Sequence, residues 1–283
     1  MRLNGRLATT IIGVAIAFVQ PQITLALSTV EVAKLAKAIT VQIQNKTGSG
    51  TGVILKKEGK TYTVLTARHV IETQAQYEIL TPDGQHYPLN YSTVKKLPDV
   101  DLAIVQFTSS QSYAVAKIGN SDEATEGAVV YVAGFPQTTA AISNSSYSFL
   151  DGKITSNARQ RDGYALVYTN NTLPGMSGGP VLNDKGELVG IHGRADMTEN
   201  FEISDKNPNI IIKSGFNLGI PIKIFTSSKI GKNLGVTTQN SSLTQVPSTK
   251  FTEPSFTAPV TGRPPTINGS GGITGFGCPG RRC

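Results

Sequence analysis

Gly175-Met176-Ser177-Gly178-Gly179-Pro180 surrounds one serine with glycines. Glycine lacks a Cβ, so such a segment lets backbone N–H groups turn toward a single point. The amides of Gly175 and Ser177 are then placed to hold an oxyanion while the Ser177 hydroxyl attacks a carbonyl carbon. The alternative is a Gly-rich turn carrying a surface serine. A serine hydroxyl is a poor nucleophile without a base, and the chain has three histidines, His69, His86 and His192. His69 follows the apolar run Val64-Leu65-Thr66-Ala67-Arg68. A histidine at a strand end points into a cleft, or else is a satisfied structural residue. Asp101 heads Leu102-Ala103-Ile104-Val105-Gln106-Phe107. An acid leading an apolar strand is at least partly buried, and burial requires a partner. Asp99 competes for the role of orienting the base. Asp101 is preferred because it abuts the apolar run.

The elements that must position these residues read as short β runs between turns. After an expected helix at 30–38 come runs at 40–44, 51–55, 61–65, 77–80, 102–107, 128–133, 164–168, 181–182 and 188–191. Gly48-Ser49-Gly50 and Glu58-Gly59-Lys60 mark turns. A short closing helix is expected at 221–227, with Pro221 in its first turn. Many short strands and few helices predict an all-β, antiparallel fold, a barrel or a sandwich. Two barrels of about six strands each account for the strand count.

The order His69, Asp101, Ser177, separated by 32 and 76 residues, carries a resemblance. Leu65-Thr66-Ala67-Arg68-His69, then Asp101-Leu102-Ala103-Ile104-Val105, then Gly175 to Pro180, resembles the trypsin/chymotrypsin-like serine proteases over roughly 38–227. The resemblance implies two antiparallel β-barrels with the site in the cleft between them. It implies His69 as general base then acid, Asp101 holding its tautomer, and Ser177 forming the acyl-enzyme, with Gly175 and Ser177 as oxyanion donors. No metal or cofactor is implied. Without disulfides in its body, the chain is more similar to the bacterial branches, the Deg/HtrA proteases and the glutamyl endopeptidases. A Deg/HtrA protease normally carries a PDZ module after the catalytic domain, where this chain has a low-complexity segment. The nucleophile elbow of α/β-hydrolases also fits Gly-x-Ser-x-Gly. That elbow must lead into a helix, and Gly178-Gly179-Pro180 disfavours one.

In the trypsin-like fold, the segment before the nucleophile and the strand after it line the specificity pocket. Here these are 170–173 and 190–193. No Asp stands at the pocket base, against a Lys/Arg preference. Glutamyl endopeptidases have a similar Gly-Ile-His where this chain has Gly190-Ile191-His192, and there the His binds the substrate carboxylate. Thr172, His192 and Gly193 are therefore the expected substrate-binding residues, with Arg194 as a further charge. The competing readings are a His packed in its strand and a pocket for small or aliphatic side chains. His86, in an apparent hairpin, receives no role. Residues 195–213 read as an enlarged loop beside the pocket.

Arg2 and Arg6 followed by the apolar run 7–19 and small residues near Ala26 and Ser28 read as a signal peptide, residues 1–28. That run is short for a membrane span of about 20 residues, though an uncleaved anchor is the alternative. Residues 29–235 read as the catalytic unit. The Pro/Ser/Thr/Gly-rich 236–283 read as a disordered tail, ending in Cys278 and Cys283, which either close a small loop, stay free or pair between chains. The net charge of +7 suggests an acidic partner, but the first 28 residues carry +2 and the segment after Gly235 +3, leaving +2 on the domain. Nucleic acid is therefore not an expected partner. The expectation is an exported, periplasmic or extracellular serine endopeptidase acting on proteins or peptides, with cleavage after Glu. It has no stable membrane span once the signal is removed. The rival class is a non-catalytic binding module on the same fold.

Overall fold

The computed structural model describes residues 27–139, 143–197 and 213–238. The expected signal segment, except residues 27 and 28, and the tail beyond residue 238, with both cysteines, lie outside the described residues.

Helix α1 (Thr29–Ile39) opens on a capping box. The Ser28 hydroxyl accepts from the Glu31 N–H at 3.3 Å, and Glu31 Oε2 accepts from the Ser28 N–H at 2.8 Å. The box is worth about 1 kcal/mol to the helix. Val32, Ala36 and Ile39 form its buried face, at the three- and four-residue spacing of one helical stripe.

Seven strands follow: β1 (Thr40–Gln44), β2 (Ser49–Glu58), β3 (Thr61–Ala67), β4 (Tyr77–Leu80), β5 (His86–Leu89), β6 (Lys95–Lys96) and β7 (Leu102–Thr108). They form an antiparallel sheet of order β5-β4-β1-β2-β3-β7-β6, curled as a half-barrel. Its core includes Val41, Ile43, Ile54, Val64, Ile79 and Val105, with Phe107 stacked on Tyr62 at 5.0 Å and tilted against Tyr87 at 5.1 Å. The second unit is a closed antiparallel barrel of six strands: β8 (Val129–Gly134), β9 (Ser148–Asn157), β10 (Leu166–Tyr168), β11 (Pro180–Leu182), β12 (Leu188–Met197) and β13 (Lys213–Pro221). Helices α2 (Ile222–Ser227) and α3 (Lys229–Asn233) close the described chain. A further core cluster draws Val53, Leu65 and Ile104 from the first sheet, Tyr131, Leu188 and Ile191 from the second, and Phe225 from α2. The two units therefore share one apolar interface.

The expected pair of barrels is thus a half-barrel and a closed barrel. Strands β5, β6, β9 and β13 were not legible, and two expected segments shift. Tyr164 and Ala165 precede β10 rather than belonging to it. Of the expected loop at 195–213, residues 195–197 belong to β12 and Lys213 to β13, with Met197 paired to Lys213, and residues 198–212 lie outside the described residues. His86 begins the second strand of a hairpin, opposite Leu80. Among the described residues no helix is long and apolar enough to cross a membrane.

Candidate active site

The register of β3 with β7 runs from Thr61↔Thr108 to Ala67↔Leu102. The residues just past β3 and just before β7 therefore leave the sheet at the same edge. The Arg68 N–H closes that edge on the Asp101 carbonyl at 3.1 Å, and a one-turn 3-10 helix, Arg68–Ile71, carries His69. His69 Nδ1 lies 2.8 Å from Asp101 Oδ2, and the His69 backbone N–H donates to Oδ1 at 3.0 Å. Asp101 is buried, while the His69 side chain is 44% exposed to the cleft. Burial alone would raise the Asp101 carboxyl. The hydrogen bond and charge of the His69 ring, with the Tyr164 hydroxyl, outweigh it and hold the group well below the ordinary carboxylate range. Asp99, the competing orienter, sits in a left-handed turn conformation with φ +54°.

Ser177 arrives from the second barrel on the turn before β11. The Ser177 carbonyl accepts from the Thr51 N–H of β2 at 2.8 Å, which ties the Ser177 turn to the first sheet. The Ser177 hydroxyl donates to the Gly193 carbonyl at 2.7 Å, not to His69. His69, Ser177 and Gly175 line one cleft of about 390 Å³, together with Tyr77, Gln137 and Pro174.

The backbone of this turn sorts its own donors. Met176 N–H goes to the Leu173 carbonyl at 3.1 Å and Gly178 N–H to the His192 carbonyl at 2.7 Å. The Gly175 and Ser177 amides have no hydrogen-bond partner among the described residues. The Pro174 carbonyl accepts from the Gln137 N–H at 2.8 Å. In a trans peptide the C=O and the following N–H point to opposite sides, so this bond turns the Gly175 N–H away from Gln137. Gly175 itself has φ +92°, and a Cβ there would stand 2.5 Å from the Phe135 carbonyl oxygen, so only glycine fits.

The model of the trypsin-like peptidase domain matches residues 50–191, half of the chain and the segment that holds all three of these side chains. The chain belongs to the trypsin-like peptidase domain family. Among curated relatives, a serine protease Do-like HtrA of Bacillus subtilis is 31% identical over 163 residues, covering 56% of this chain and 36% of that protein. A probable periplasmic serine endoprotease DegP-like of Chlamydia pneumoniae is 30% identical over 152 residues, covering 50% and 28%. A serine protease Do-like HtrA of Lactococcus lactis subsp. cremoris is 26% identical over 190 residues, covering 65% and 46%. The chain therefore spans less than half the length of each of these relatives.

Within this trypsin-like peptidase domain, of the expected pocket residues Gly193 touches the Ser177 hydroxyl through its carbonyl. Thr172 and His192 are almost fully buried and do not line the cleft at Ser177. The Tyr168 hydroxyl lies 2.7 Å from His192 Nδ1. Complete burial pushes the Tyr168 phenol far above its ordinary value, so it stays protonated. The Thr172 hydroxyl donates to Asn217 Oδ1 in a short contact, and Asn217 Nδ2 donates to the Asn170 carbonyl. Arg194, expected near a substrate charge, instead reaches Asp101 Oδ2 at 3.3 Å and Asp162 Oδ2 at 3.5 Å. It stands on β12 two residues past His192, and the strand's register shifts between His192 and Arg194.

Sequence reasoning missed Thr51, Tyr164, Tyr168 and Asn217. The Thr51 hydroxyl donates to the Gly175 carbonyl at 2.8 Å and accepts from the Phe135 N–H at 3.1 Å. It joins the first sheet to both walls of the Ser177 turn. Its sequence signal is a hydroxyl leading the apolar stretch Val53-Ile54-Leu55 of β2.

Proposed function

We propose that this chain is an exported serine endopeptidase that cleaves peptide bonds through His69, Asp101 and Ser177, with preference for Glu on the acyl side of the scissile bond. The observation that carries the reaction is the juxtaposition of a buried, ionised Asp101 on His69 Nδ1 with Ser177 and two unbonded amides across one cleft. The Ser177 hydroxyl rotates from the Gly193 carbonyl to His69 Nε2, a rearrangement expected where catalytic hydrogen bonds tighten only around substrate. His69 takes its proton as Oγ bonds to the carbonyl carbon, and the carbonyl π pair moves onto oxygen. The Gly175 and Ser177 amides hold that oxyanion. The imidazolium then protonates the leaving amine, and water repeats the sequence on the acyl-enzyme.

Support for Glu comes from the buried polar set behind Ser177. The Tyr168 hydroxyl lies 2.7 Å from His192 Nδ1, which anchors an imidazole of the kind that pairs with a carboxylate. With the Thr172 hydroxyl donating to Asn217 Oδ1, the His192 imidazole is the group we assign to a substrate carboxylate. Export is supported by the basic start and apolar run of residues 1–28 and by the word periplasmic in the name of the Chlamydia relative. A fluorophosphonate probe on the full chain tests the reaction: labelling of wild type and loss of labelling in Ser177→Ala is expected. A folded wild type that stays unlabelled would refute the enzyme reading. A cleavage profile on a denatured protein tests specificity, and cuts not enriched after Glu would remove that part.

A further inference from the structure

Asp101 belongs to the first sheet, yet two groups on its carboxylate come from the second barrel. The Tyr164 hydroxyl, just before β10, donates to Asp101 Oδ2 at 2.5 Å. Arg194 Nη2, on β12, stands 3.3 Å from the same oxygen. The guanidinium lies over the Tyr164 ring, 4.6 Å from its centroid. The segment around Tyr164 is fastened to Asp101 from behind, since the Asp162 carbonyl accepts the Asp101 N–H at 2.9 Å. Gly193 completes the fit: a Cβ there would stand 2.0 Å from the Tyr164 hydroxyl oxygen, so the glycine is what lets the phenol reach the carboxylate.

We propose that Tyr164 and Arg194 are positioning residues that clamp Asp101 from the second barrel and set the pH at which His69 works as a base. The inference rests on the triad reading above. Oδ2 serves three donors at once: the His69 ring at 2.8 Å, the Tyr164 hydroxyl and Arg194. Hydrogen bonds to an ionised acceptor are the strong ones. A carboxylate that shares its charge with a phenol and a guanidinium stabilises an imidazolium less than one that faces the imidazole alone. Arg194 also repels the imidazolium directly. Both therefore oppose the charged form of the His69 ring. Tyr164 stays a donor throughout, because burial and the Asp101 charge raise its phenol.

The other charges around His69 are already paired. Arg68 meets Glu72 at 3.4 Å, Lys96 meets the same Glu72 at 3.4 Å, and Asp162 meets Arg194. Tyr77 is the remaining titratable group on the cleft, and burial raises its phenol.

The test is the pH profile of kcat/KM on one fluorogenic peptide, for wild type, Tyr164→Phe and Arg194→Gln. Alongside it, a 1H NMR titration follows the His69 ring in the Ser177→Ala background, with and without Arg194→Gln. Both substitutions should move the acid-limb midpoint to higher pH by about half a unit or more, the scale set by one nearby charge or hydrogen bond. The Arg194→Gln shift should shrink in 1 M salt, because that side chain is 48% exposed, and the Tyr164→Phe shift should persist. Arg194→Lys should return part of the shift. If Tyr164→Phe fails to fold, Arg194→Gln alone still decides. Midpoints identical to wild type in kinetics and NMR, with only kcat scaled down, would overturn the inference. The NMR midpoint is readable in an inactive protein. Failure of the triad reading, seen as no labelling and no cleavage, is thus distinct from failure of the clamp.

Discussion

Two hydroxyls and one imidazole decide what the buried set behind Ser177 can recognise. Thr172 donates to Asn217 Oδ1, and the Tyr168 hydroxyl lies 2.7 Å from His192 Nδ1. The proposed reader is the His192 imidazole, with a phenol on its Nδ1. His192→Ala should reduce kcat/KM for cleavage after Glu about a hundredfold or more, the cost of an unpaired carboxylate, and for cleavage after Ala or Val by much less. Matched peptides differing only at that residue measure it, and equal losses would assign His192 to the fold alone. Tyr168→Phe is the finer probe. It removes the hydrogen bond at Nδ1 but leaves the imidazole, so the Glu-to-Ala ratio should fall roughly tenfold while cleavage after Ala stays near wild type.

Elements place these residues through ladder ends and one cross-sheet pin. The β3–β7 register puts His69 and Asp101 at one edge, and Thr51 on β2 holds the nucleophile turn from the opposite sheet. Thr51→Val keeps the shape but strands the Phe135 N–H and the Gly175 carbonyl. It should destabilise the protein by about 1–3 kcal/mol by denaturant unfolding and lower kcat about tenfold. Unchanged kcat would show that the turn holds its form without the pin. The same residues explain what was legible. Strands β1, β3, β4 and β7 are short β-type runs between turns, and the order His, Asp, Ser is legible because His69 and Asp101 adjoin β3 and β7 and glycines surround Ser177. Strand β9 escaped because, of its ten residues, only Ile154 is buried. Strand β13 hid behind the Asn-Pro-Asn stretch before it. Tyr164 reads from the sequence as a strand residue, and no spacing rule links it to Asp101, 63 residues away. Arg194 was assigned to the substrate because a register shift after His192 cannot be read from residue types.

At the scale of the whole molecule, Asp101 is a joint between two separately built units. Its backbone heads β7, its side chain holds His69, and its remaining partners, Tyr164, Asp162 and Arg194, come from the second barrel. Folding holds this carboxyl well below its ordinary value of 3.8, against the burial that would raise it. A carboxyl depressed in the folded state stabilises that state above its unfolded value, and the stabilisation is lost as pH falls toward the folded value. Protonation at low pH therefore weakens the contact between the two units as well as the site. Asp101→Asn stands for the protonated form, with no charge for Tyr164 and Arg194 to share. Its melting temperature should lie below that of wild type at pH 5 to 8, and the gap should narrow steadily as pH falls below 4. Calorimetry of Ser177→Ala and Asp101→Asn/Ser177→Ala across that range measures it without self-cleavage. A gap independent of pH would mean that Asp101 holds the units together by shape and neutral hydrogen bonds rather than by its charge.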